Sequence, residues 1–221
     1  MQTTKHIHTL HRCELFRMIA DDDLSRMLDC LGARTEFFDK KSTILSEGSP
    51  AKQIGIVLSG AVQTIQIDYF GNRSIVSDSG PGELFAESFA CAETESVPVS
   101  VVASETSEVM LVDCSHILHT CENNCGFHQQ LIFNLMKGLA AKNIQFHQKL
   151  GVTSKRSTRE KLLEYLMLQS KKCGSRSFDI PFDRQELADY LEVDRSGLST
   201  EIGKLRREGV LTSYRKHFEL L

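Results

Sequence analysis

Hydrophobic residues along this chain change their spacing three times, and each change predicts a different kind of element. From Cys13 to Leu31 the apolar positions recur at helical intervals, with Asp21, Asp22 and Asp23 opening the main turn, which predicts a helical amino-terminal segment. From about Arg34 to Asp113 the pattern shortens to β-branched runs broken by glycine turns. Ser42–Leu45, Ile54–Leu58 and Val62–Asp68 are the first strands, and Val97–Ala103 and Val109–Val112 are the return strands. Glycines 48, 60, 71 and 82 fall twelve, eleven and eleven residues apart, a hairpin cadence that suits closure into a double-stranded β-helix, or jelly roll, of about eight strands. Phe127–Leu150 then returns to a helical period. Within it Ile132, Met136, Leu139, Asn143, Phe146 and Leu150 step by four, three, four, three and four residues. That is a heptad seam for a twin helix, and Phe127, Leu131 and Leu135 form a second stripe that can face the barrel. A homodimer follows, with Asn143 able to set the register; the alternative is that the seam packs inside one subunit.

The last apolar pattern is two short helices across a tight turn, Asp183 to Leu211 (DRQELADYLEVDRSGLSTEIGKLRREGVL). Asp183 and Glu186 have the spacing of a capping box, and Asp194 is placed to cap the second helix. Leu187, Ala188 and Leu191 form the buried stripe of the first helix, and Leu198, Ile202 and Leu205 that of the second. The opposite face carries Arg195, Ser196, Ser199, Thr200, Lys204 and Arg207, donors suited to base edges and phosphates. Gly209 ends the helix, and Val210–Leu220 reads as two strands around a basic tip. The expected module is a winged helix-turn-helix that reads double-stranded DNA, against the alternative of a small helical hairpin with a solvated charged face. Twofold pairing would set two such helices ~34 Å apart and call for a palindromic operator.

Charge sorts along the chain in the same sense. Residues 1–125 hold nine Lys or Arg against eighteen Asp or Glu, net −9, whereas residues 126–221 hold seventeen against eleven, net +6, so the total of −3 conceals an acidic half and a basic half. Attraction to phosphate belongs to the second half only. The expected organisation is an α+β chain: a barrel domain at 1–125, to which the resemblance described below assigns an effector role, a dimerisation helix at 126–151 and a winged helix-turn-helix at 152–221. No apolar run approaches the ~20 residues of a membrane span, and no signal-peptide core is present, so no membrane partner and a cytoplasmic location are expected. Seven cysteines without framework spacing agree with a reducing compartment.

Catalysis is not expected. Positions 12–115 contain no histidine, so the barrel cannot supply the histidine-rich metal set of a cupin, and no phosphate-cradling Gly-rich Lys motif occurs. No metal site is expected on this count.

With Glu47-Gly48, Gly60, Gly71, the loop Pro81-Gly82-Glu83-Leu84-Phe85-Ala86-Glu87 and the reader at Asp183–Leu211 in this order, nearly the whole chain resembles the Crp/Fnr family, that of the cyclic-AMP receptor protein and the anaerobic Fnr regulators. The resemblance implies a sequence-specific transcription regulator with a cyclic-nucleotide-binding-like barrel, and RNA polymerase as a further candidate partner. It transfers base readout to Arg195, Ser196 and Thr200 and phosphate contact to Arg184 and Gln185. Relatives that bind cyclic AMP hold its phosphate with an Arg-Ser pair. The matching positions here are Val97 and Pro98, and no arginine or lysine lies between Arg73 and Lys137. A buried cyclic phosphate would lack its ionic partner. Where such relatives offer Thr-Ser from the long helix, an ungapped count places Phe146-His147. The expectation is therefore an apolar-walled pocket near Gly82, Glu83, Leu84, Val97, Pro98 and Val99 for a less charged effector, whose identity is left open.

Two other readings stay open beside this one. In the first, the barrel is a ligand-independent dimerisation scaffold. In the second, a thiol or iron–sulfur redox sensor would draw on Cys91, Cys114, Cys121 and Cys125; Fnr-type sensors group three cysteines near the amino terminus, and here only Cys13 and Cys30 lie there. Haem ligation by His6, His8, His11 or His116 is a weaker option, and no cofactor is assigned.

Overall fold

The computed structural model describes residues 3–118 and 127–221. The chain forms two compact units, Met1–Ile67 with Val76–Asn143 and Asp68–Ile75 with Ile144–Leu221. In the first, α1 (Ile7–Arg12), a 3-10 turn (Glu14–Phe16) and α2 (Asp21–Cys30) precede the strands. These are β1 (Arg34–Phe38), β2 (Thr43–Leu45), β3 (Gln53–Ser59), β4 (Val62–Ile67), β5 (Arg73–Ser79) and β6 (Leu84–Phe85), then, after α3 (Glu87–Cys91), β7 (Ser100–Ala103) and β8 (Ser107–Asp113). α4 (Cys114–Leu118) follows, and α5 (His128–Thr153) runs on into the second unit. The eight strands form two four-stranded sheets, ordered β1-β8-β3-β6 and β2-β7-β4-β5, as the glycine cadence predicts.

β3 and β8 read as nearly unbroken apolar runs because both of their faces are covered. On one face Ile54, Ile56, Leu58, Met110 and Val112 join Leu10, Phe16, Leu31, Leu131 and Leu135 in one core. On the other, Val57, Val109 and Leu111 join Val62, Phe85 and Val101 inside the barrel. The alternation is the two-residue period of a strand. Gly55 faces the Phe85 ring so closely that a Cβ there would lie 2.0 Å from it, so the barrel interior at this level is filled by Phe85.

The continuous helix expected at Cys13–Leu31 is broken. Met18 takes a left-handed φ of 62°, and the chain turns so that Leu10, Leu15 and Phe16 are buried before α2 starts at Asp21. Burial of that apolar cluster outweighs the strain of one left-handed residue. The α5 seam also divides. Ile132 and Leu139 pack partly against their own core, whereas Met136 (58% exposed), Phe146 (41%), Leu150 (63%) and Asn143 face outward.

In the second unit α6 (Thr158–Cys173), β9 (Ser177–Asp179), α7 (Arg184–Leu191), α8 (Arg195–Arg207), β10 (Leu211–Tyr214) and β11 (His217–Leu220) follow α5, with the sheet ordered β10-β11-β9. α6 begins at a Ser157–Glu160 capping box and ends at Gly174, φ 64°. The wing has the two expected strands and a third, β9, paired to β11 through Phe178 and Phe218.

Candidate nucleic-acid interface and effector loop

The helix-turn-helix is built by its caps. The Asp183 carboxylate accepts the Gln185 and Glu186 backbone N–H groups at 2.8 and 2.9 Å, and Glu186 accepts the Asp183 N–H at 2.7 Å. Glu192 turns the chain with φ 54°, and Val193 N–H closes the turn onto the Ala188 carbonyl at 3.1 Å. Asp194 then caps α8 through Gly197 N–H at 2.8 Å. Leu198, Ile202 and Leu205 are buried, which fixes the rotation of α8 and leaves Arg195, Ser196, Ser199, Thr200 and Lys204 exposed.

Not all of these side chains are equally available. The Ser196 hydroxyl donates to the Asp194 carboxylate, so it serves the cap. Lys204 lies 3.3 Å from Glu201 but keeps half of its side chain exposed. On α7, Gln185 donates to Asp189 at 2.8 Å, and the half-buried Arg184 guanidinium stacks 5.5 Å over the Phe218 ring. Burial, and secondly the charge of Arg195, hold Arg184 below its ordinary pKa, a repulsion that an intervening phosphate would relieve. Two cations escaped sequence reasoning on the wing: exposed Arg215, with φ 53° and stacked on Tyr214, and Lys216, which donates to the Pro181 carbonyl. Only the basic tip as a whole was legible.

The effector-loop residues divide between two places. Gly82 is buried under α1, where an added Cβ would meet Thr9 and Arg12 at 3.3 Å. Glu83 is exposed and its carboxylate accepts Gly80 N–H at 2.9 Å, the role of a turn residue. Leu84, Val97 and Val99 are buried and Pro98 is exposed. The Val97 backbone pairs with Gly48 and Ser49, whereas Gly82 and Glu83 pair with Val57. A groove of about 430 Å³ opens elsewhere on the barrel, lined by Arg34, Ile44, Ala51, Gln53, Phe85 and Leu111 among others, and none of the six predicted residues lines it.

From α5, Lys142 reaches the Gly82–Glu87 loop, whereas Phe146 and His147 are exposed. Lys142 Nζ lies 2.7 Å from Glu87 Oε1 and donates to the Leu84 carbonyl at 2.6 Å. Glu87 is 2% exposed and its second oxygen has no hydrogen-bond partner among the described residues. The available signal was that Lys137 and Lys142 are the first cations after a stretch without any.

Among the described residues no three His, Cys, Asp or Glu side chains converge on one point, and burial pushes the Cys13 thiol up to about 12, away from the thiolate that ligation needs. Cys121 and Cys125 lie outside the described residues. His6 is paired with Glu108 and His11 with Asp21, and His116 stands beside Gly32.

Comparison with known proteins agrees with this architecture. Residues 35–124 match the cyclic nucleotide-binding domain, and residues 160–221 match the Crp-like helix-turn-helix domain. The transcriptional activator protein FnrA of Stutzerimonas stutzeri is 24% identical over 199 residues, 88% of this chain and 79% of FnrA. Among solved structures, the c-di-GMP responsive global regulator CLP of Xanthomonas campestris is similar with a TM-score of 0.73 at 16% identity, covering 89% of this chain and 98% of CLP. FixK2 of Bradyrhizobium japonicum is similar with a TM-score of 0.67 at 21% identity, covering 85% and 92%. A barrel of this type joined to such a reader defines a DNA-binding transcription regulator with an effector-type domain. The chain belongs to the Crp/Fnr family. Regulators of this family bind DNA and typically act as dimers. Among the described residues no helix is long and apolar enough to cross a membrane.

Proposed function

We propose that the chain acts as a homodimer on a palindromic operator, with Arg195, Ser199 and Thr200 at the amino end of α8 reading bases, and Lys204 further along α8 and the Arg215–Lys216 wing anchoring the flanking backbone. The observation that carries this reading is the division of α8 into a fully buried stripe and an exposed polar face whose donors suit the major groove. Arg195 opens that face, at the amino end of the helix, where a guanidinium reaches guanine O6 and N7 bidentately. Ser196, tied to Asp194, contributes to the cap rather than to base preference. The output is occupancy of DNA, with no turnover, and RNA polymerase is the partner through which occupancy would act.

The barrel offers little to cyclic AMP. By the family resemblance Val97 and Pro98 take the positions of the phosphate partners and carry no charge, and Phe85 fills the interior beside Gly55. The loop is instead tied to α5 by the chain's own Lys142. That favours control by something other than a nucleotide phosphate.

Selection from random duplexes tests the reading, with a two-armed consensus expected. Arg195→Ala should weaken operator binding by ~1–3 kcal/mol and relax preference at one base pair per arm, with unchanged melting. Unaltered affinity and preference in that variant would remove Arg195 from base readout.

A further inference from the structure

Cys91 ends α3 and Cys114 begins α4, and their sulfurs lie 3.6 Å apart although 23 positions separate them in the chain. Cys114 is 2% exposed, whereas Cys91 is half-buried at the edge of the same core. One thiol is thus open to a small solute and the other lies directly behind it. A disulfide needs the sulfurs at ~2 Å, an approach of roughly 1.5 Å that side-chain rotation can supply. Neither thiol takes part in the DNA-reading face.

We propose that Cys91 and Cys114 form a reversible oxidation site whose substrate is a small hydroperoxide, with Cys91 as the attacking thiol and Cys114 as the resolving one. The Cys91 thiolate attacks the outer peroxide oxygen and the O–O bond breaks. The alkoxide, or hydroxide, leaves and takes up a proton, and Cys91 becomes a sulfenic acid. Cys114 sulfur then attacks Cys91 Sγ and the S–O bond breaks. The departing hydroxide takes the Cys114 proton and leaves as water. Two thiols lose two electrons and the peroxide gains them, and a dithiol such as dithiothreitol reverses the step.

Exposure gives the two sulfurs these different roles. Cys91 is half-buried and open to solvent, whereas Cys114 is 2% exposed, so a thiolate is more readily formed and reached at Cys91. The hydrogen bond between the two sulfurs, which lowers the pKa of the Cys91 thiol and raises that of Cys114, acts in the same sense. Cys13, 0% exposed, is the built-in contrast and should stay reduced.

The site also has a route to an output. α3 is five residues long, with Cys91 at one end and Glu87 at the other, and Glu87 is paired with Lys142 of α5. A crosslink that shifts Cys91 must shift or rotate this short helix, and the Glu87–Lys142 pair carries the displacement to α5. This part rests on the DNA-binding regulator reading, because only there does the state of α5 have a consequence.

The test uses the full-length reduced protein, hydrogen peroxide and peptide mass spectrometry without reductant. A Cys91–Cys114 crosslinked peptide is expected, with Cys13 unmodified. Cys114→Ser should stop at a Cys91 sulfenic acid that dimedone traps, and Cys91→Ser should give neither product. Binding of a selected duplex should change at least severalfold on oxidation and return with dithiothreitol, and both cysteine variants should lose that response. Absence of the crosslink would overturn the oxidation site, and a crosslink with unchanged affinity would overturn its coupling to α5. Failure of the reduced protein to bind any selected duplex would instead count against the DNA-reading proposal and leave the thiol chemistry standing.

Discussion

Two single residues bear most directly on the proposed function, Asp194 as the cap of α8 and Lys142 beneath the Gly82–Glu87 loop. Asp194 accepts an otherwise unmatched α8 amide and also holds Ser196. Asp194→Ala should therefore cost ~0.5–2 kcal/mol of stability in urea unfolding, and should release the Ser196 hydroxyl toward DNA. Lys142 and Glu87 are a different kind of pair. Their charges are largely withdrawn from water, so removing one partner leaves the other with its desolvation cost uncompensated. Lys142→Met should destabilise the protein by ~3–5 kcal/mol, and the double change with Glu87→Gln should recover much of that loss. If the double variant were as unstable as the sum of the two single variants, Lys142 would be serving its aliphatic packing and the Leu84 carbonyl, with no coupling to Glu87.

At the scale of elements, the proposed pairing rests on α5. Leu131 and Leu135 are buried within one subunit, and Met136, Phe146 and Leu150 are exposed, so the helix has an inner face already used and an outer face still available. Leu150→Glu should leave the subunit folded and raise the dimer dissociation constant by roughly a hundredfold or more, since two leucine side chains at ~1.5–3 kcal/mol each lose their burial. Sedimentation should then show a folded monomer, and an unchanged dimer would place the interface elsewhere. This mixed stripe also marks the limit of the pattern in the sequence. A heptad reports that Ile132 and Leu139 are buried but not by what, and here they lie partly against the barrel. Elements bounded by caps and glycines, namely α7, α8, the wing and most strands, were legible because each signal is local. The break at Met18 was not, because no glycine or proline marks it. The five-residue α3 shows no period, and the Lys142–Glu87 and Cys91–Cys114 contacts join positions that no local spacing relates.

Over the whole molecule the charge is divided, −9 over residues 1–125 and +6 over residues 126–221, and a polyanion responds to that division before it meets any individual side chain. Attraction resides in the half that contains α8 and the wing, so the sequence-independent part of binding should come from a small number of cations there. Their number can be counted from salt. The logarithm of the operator binding constant should fall linearly with the logarithm of salt concentration, at about −0.9 per phosphate neutralised. Lys204, exposed and paired with Glu201 on the preceding turn, is placed as such a phosphate partner. Lys204→Gln should reduce the slope by ~1 for each phosphate that is no longer neutralised, hence ~2 for a dimer that uses the lysine twice, and weaken all sequences about equally. Arg195→Ala should differ by changing preference at a defined base pair. If Lys204→Gln altered base preference and left the salt slope unchanged, the lysine would be reading a base edge, and the division of α8 into a reading end and an anchoring end would have to be reversed.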